Sequence, residues 1–88
     1  LNIPRNIPDQ LHRRAVLATQ CAASAVCAKA HIEKALLNAE HGRLDLAVLN
    51  DLRQCIATID RTVRHAELCR QRLLRKADRI NPQSSTED

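Results

Sequence analysis

Residues 49–80 read LNDLRQCIATIDRTVRHAELCRQRLLRKADRI. Leu49, Ile56, Val63, Arg70 and Ala77 recur every seven residues, with Leu52, Ile59, Ala66, Leu73 and Ile80 between them at spacings of three and four. Nine of these ten positions are apolar, the pattern by which one helix offers a narrow seam to another. The seam predicts a helix from about Asp45 to Ile80, stopped by Asn81–Pro82. The residues beyond, QSSTED at 83–88, predict a disordered tail over 81–88.

Upstream of this helix stands the chain's single glycine, Gly42. Glycine tolerates the left-handed backbone that commonly ends a helix, so 41–44 is the predicted turn, with Gly42 as its left-handed residue. A first helix is then expected from about Gln10 to about Glu40, capped by Asp9. The two prolines of LNIPRNIP mark residues 1–8 as an extended arm.

In the first helix Leu11, Ala18, Ala25, Ile32 and Ala39 recur every seven, interleaved with Arg14, Cys21, Ala28 and Ala35. This seam is small where the other is large, so the two backbones can approach closely. Antiparallel pairing of Leu11 with Leu73, Ala18 with Ala66, Ala25 with Ile59 and Ile32 with Leu52 centres on position 42, where the glycine stands. Seam spacing and turn chemistry thus agree independently. The fold class is all-α, an antiparallel two-helix hairpin of coiled-coil type over residues 9–80.

A hairpin whose arms are roughly 45–55 Å long buries little by itself. The first helix carries a second stripe, Val16, Ala23, Ala30 and Leu37, with Val26 beside it, turned away from the partner helix. An exposed apolar band of this kind predicts association with a second copy (a homodimer) or another helical protein, closing a four-helix bundle.

The composition supports that architecture. There is no Phe, Trp, Tyr or Met, so the core consists of Leu, Ile, Val, Ala and Cys. The four cysteines lack a closely paired spacing, which suits a reducing compartment better than a disulfide scaffold. The expected location is intracellular, cytoplasmic or nuclear. The apolar run AVLATQCAASAVCAKAH at 15–31 reads as too short and too polar for a transmembrane segment, interrupted as it is by Gln20, Ser24 and Lys29.

Chemistry finds little purchase here. Cys21 falls on a seam position facing Val63 and reads as a small buried hydrophobe. Cys55 and Cys69 are fourteen residues apart along one helix, about 21 Å, too far to bridge. His31 and Cys55 flank the seam at one level, but a tetrahedral metal site needs four ligands. The segment AHIEK at 30–34 resembles the H-x-x-K core of histidine phosphotransfer domains, which implies His31 as phosphate acceptor with Lys34 one turn on. The resemblance spans about five residues, and Ala35 replaces the glycine usual after the lysine. No phosphate loop, catalytic triad or carboxylate pair accompanies it. The reading is a non-enzymatic chain without cofactor or small-molecule substrate.

Charge is polarised. Residues 1–20 carry a net +2 and residues 60–80 a net +4, while 21–59 balance. The hairpin brings the two basic sets together at its open end, placing Arg13 and Arg14 near Arg70, Arg72, Arg75, Lys76 and Arg79, with Arg14 opposite Arg70 across the seam. Such an end suits an acidic partner segment, nucleic-acid phosphates or anionic lipid, though no aromatic is present to stack on bases. Lys29 and Asp60 are expected to form a flanking ion pair.

Overall fold

The computed structural model describes residues 6–80 as two helices, α1 (Asn6–His41) and α2 (Leu46–Ile80), packed along one another as an antiparallel hairpin. No strand occurs among the described residues. The molecule measures 65 × 25 × 15 Å, the proportions of two rods side by side.

α2 buries the expected seam. Leu73 and Ala77 are buried, and the other eight seam positions, Arg70 among them, are half-buried. α1 differs by half its seam. Leu11, Ala18, Ala25, Ile32 and Ala39 face inward as expected, but the interleaved row is Ala15, Ala22, Lys29 and Leu36. Arg14, Cys21 and Ala28 are exposed, and of the expected second row only Ala35 is half-buried. Rows three or four residues ahead of the first both make a helical seam. The second choice keeps Arg14 in water and seats Lys29 against an acidic partner. Arg14 therefore does not oppose Arg70, and Cys21 is not a core residue.

The helix ends also depart from expectation. α1 begins at Asn6, so Pro8 lies inside the first turn, where its missing N–H had no intrahelical acceptor to lose. Asp9 sits in that first turn, favourably placed for the helix dipole, and is not the residue preceding the helix. The first part of the expected arm, residues 1–5, and the expected tail, 81–88, lie outside the described residues.

At the other end of α1, the Arg43 N–H donates to the Glu40 carbonyl (3.1 Å) and the Leu44 N–H to the Ala39 carbonyl (3.0 Å). These two bonds are the Schellman pair, and the residue between cap and exit takes the left-handed conformation. That residue is Arg43, with φ 52°; no glycine has a positive φ. Gly42 instead continues the helical bonding, its N–H donating to the Asn38 carbonyl at 2.9 Å. The Asp45 carbonyl then accepts from Val48 and Leu49 to open α2. The reversal therefore lies between His41 and Leu46, centred beyond Gly42.

The core is thin. Among the described residues only Leu11, Ala15, Ala39, Leu73 and Ala77 are buried, and no polar side chain is. Leu11, Ala15, Leu73 and Ala77 form one cluster at the open end, flanked by Ile7, Leu74 and Ile80.

Candidate functional site

The candidate surface follows from one lysine. Between residues 15 and 32, Lys29 is the only Lys, Arg, Asp or Glu. It lies on the row that faces α2, with its ammonium 2.9 Å from an Asp60 carboxylate oxygen. The hydrogen bond to that carboxylate, followed by its charge, raises the Lys29 pKa above the ordinary lysine value. The pair is substantially exposed, so it contributes little to stability. Its effect is on distribution: the sole charge of this stretch is drawn toward α2, and the rest of the surface is left uncharged.

That surface is apolar. Val16, Leu17, Val26 and Leu37 are each more than half exposed, and Ala23 and Ala30 between them are exposed too. The row Val16, Ala23, Ala30, Leu37 lies roughly 120° around the helix from the inward seam, given about 100° per residue. α2 does not reach it. α2 itself is clearly amphipathic, with a charged outer face, whereas α1 between Ala15 and Ile32 carries no charge besides Lys29 and sets apolar side chains on its outer side as well as its inner one. A helix segment apolar on two sides is suited to contacts on both. α1 is also long and apolar enough, by length and composition alone, to cross a membrane, a test that core helices of soluble proteins and signal sequences pass as well.

The cysteines and histidines gather no chemistry. Cys21, Cys27, Cys55 and Cys69 are free and exposed. Cys55 lines a shallow groove with Ala28, Ile32, Gln54, Thr58 and Ile59; His31 is exposed on α1 and does not line it. Among the described residues no three His, Cys, Asp or Glu side chains are placed to hold a metal. Lys34 is exposed one turn from His31.

At the open end, packing of Leu11 and Ala15 on Leu73 and Ala77 brings the basic segments together. Arg13, Arg14, Arg72, Arg75, Lys76 and Arg79 are exposed. Arg70 is half-buried and bonds Glu67 on its own helix through Nε at 3.1 Å and through Nη2. That hydrogen bond is the main cause holding the Glu67 carboxyl below the usual glutamate value. Arg70 is thus committed within the chain, and the candidate anion surface consists of the other six.

The fold defines an antiparallel helical hairpin with one unpaired helix face. No family model, curated protein or solved structure matches the chain.

Proposed function

We propose that this chain is a non-enzymatic helical assembly module, in which α2 covers one side of α1 and a helix from another hairpin covers the outer stripe. The observation that carries the reading is the outer face of α1, free of charge from Val16 to Ala30, with four large aliphatic residues of the helix more than half exposed, on a hairpin with five buried residues among those described. Enclosure by protein is favoured over enclosure by lipid. The Lys29–Asp60 pair sits within the apolar run of α1, and α2, packed along α1, carries charges throughout. Ionised groups at bilayer depth are costly.

Sedimentation equilibrium and thermal melts at about 1 and about 100 μM test the reading, because a fold completed by association melts higher when more concentrated. A mass above the 9.9 kDa of one chain, with a melting temperature that rises with concentration, is expected. A cooperatively folded monomer with a concentration-independent melt would refute it, since the face would then need no cover.

A second reading rests on the six exposed cations at the open end: a site for nucleic-acid phosphates or an acidic segment. Duplex binding that is present at low salt and falls steeply as salt rises would support nucleic acid, and no binding at low salt would remove it.

A further inference from the structure

We propose that the helix covering the outer face of α1 is α1 of a second copy of this chain, running antiparallel and centred between Val26 and Cys27. The inference rests on the assembly reading and names its occupant.

The first support is the order of sizes along the exposed stripe. Val16, Ala23, Ala30 and Leu37 run large, small, small, large, which reads alike from either end about a point between 26 and 27. Laid against a reversed copy on that centre, Val16 is level with the partner's Leu37, and Ala23 with the partner's Ala30. The alanines let the axes approach to the lower end of the usual 8–10 Å, while the large residues close the ends of the contact. Val26 and Cys27, both exposed, flank the stripe on either side at the centre.

The second support is charge. An antiparallel pair sets each flank of the stripe against the same flank of the partner. Glu33 then lies beside the partner's Thr19, Lys34 beside the partner's Gln20, Glu40 beside the partner's His12 and Arg13 beside the partner's His41, all of them exposed, so no two like-charged Lys, Arg, Asp or Glu side chains are brought together. A parallel pair in register would set Arg13, Glu33, Lys34 and Glu40 each beside its own copy, four repulsive contacts. Like-charge juxtaposition at an interface selects against that arrangement.

The symmetry makes Cys27 the test. Near a two-fold axis a residue meets its own copy, and the two Cys27 positions are offset by one residue, about 1.5 Å along the axis. Chains retaining Cys27 alone, with Cys21, Cys55 and Cys69 changed to Ala, are oxidised mildly and compared with cysteine-free chains carrying Gln20→Cys or Lys34→Cys. Circular dichroism and sedimentation first confirm that each variant keeps the parent's helicity and mass. The expected result is a covalent dimer through Cys27. Gln20→Cys and Lys34→Cys alone should link weakly, and their mixture at least fivefold more. Self-linking of Gln20→Cys as strong as that of Cys27 would overturn the antiparallel pairing while leaving assembly intact. A monomer that forms no covalent dimer at any position would overturn the second copy as occupant. Its melt then separates the two readings: incomplete helicity leaves a different helical partner for α1, and a cooperative monomeric melt removes assembly as well.

Discussion

Replacing Arg43 with glycine is expected to stabilise the hairpin, although it removes a charged side chain and touches no core residue. Arg43 holds φ at 52°, where the Cβ of an L-residue crowds its carbonyl at a cost of roughly 1–2 kcal/mol. Glycine relieves that strain but adds unfolded-state freedom worth about 0.4–1 kcal/mol. The balance favours Arg43→Gly by about 0.5–1 kcal/mol, which for a chain of this length raises the melting temperature by about 2–8 °C. The Schellman bonds from the Arg43 and Leu44 N–H groups are backbone bonds and survive the change.

Gly42→Ala supplies the control. Gly42 has no positive φ, so alanine meets no backbone strain there. Its Cβ would lie 3.3 Å from the Asn38 carbonyl oxygen, a tight approach that offsets the entropic gain, leaving a net change within about 0.5 kcal/mol. Thermal melts followed by far-UV circular dichroism at one fixed concentration compare the three chains, since association would otherwise enter the result. The opposite ordering, Gly42→Ala destabilising by more than about 1 kcal/mol with Arg43→Gly neutral or worse, would mean the glycine is the left-handed residue after all and would refute this account of the turn.

Three further outcomes follow from the packing and charges. Leu73→Ala should cost about 2–4 kcal/mol in urea denaturation, because Leu73 packs in the cluster with Leu11, Ala15 and Ala77, whereas exposed Leu68→Ala should cost under about 0.5 kcal/mol. Ala15→Leu should destabilise by about 1–3 kcal/mol through overpacking while Cys21→Leu leaves stability nearly unchanged; the reverse would restore the other choice of seam row. The Glu67 carboxyl is held below its usual value by Arg70, so its contribution is present above the ordinary glutamate pKa and is lost as pH falls through the depressed one. Melts from neutral to acid pH should therefore fall less for Glu67→Gln than for the parent chain, and an unchanged acid limb would contradict the pairing.

Most of the fold was legible in α2, and for a physical reason. Its seam sets Leu, Ile and Val against Arg, Gln and Asp, so a single register separates oil from water, and every expected seam position is buried or half-buried. The turn was legible in place but not in conformation. A lone glycine locates a chain reversal, yet the Schellman bonds decide which residue turns left-handed, and they fall one residue later, on Arg43. The outer stripe of α1 could be read from sequence because Val16, Val26 and Leu37 are too large to pass as neutral surface. The exposure of Cys21 could not be read without first choosing the seam row.

That choice shows what an alanine-rich helix conceals. Ala15 and Ala22 compete with Ala28 and Ala35 for the seam, and alanine carries almost no preference between core and surface, so periodicity alone leaves two rows equally good. The charged residues break the tie. Arg14 on a seam would face Arg70 without an acidic partner, whereas Lys29 on the alternative row finds Asp60 at 2.9 Å. A lysine in an otherwise apolar run had looked like an interruption of the helix's hydrophobic character. In the folded chain the one charge in eighteen positions turns toward α2, where Asp60 meets it, and the outer stripe is left free of charge from Val16 to Ala30. The same logic links fold to assembly. If Lys29 sets the rotation of α1, then Lys29→Ala should loosen that rotation and weaken association through the outer stripe more than it weakens the hairpin, even though Lys29 touches no part of that stripe.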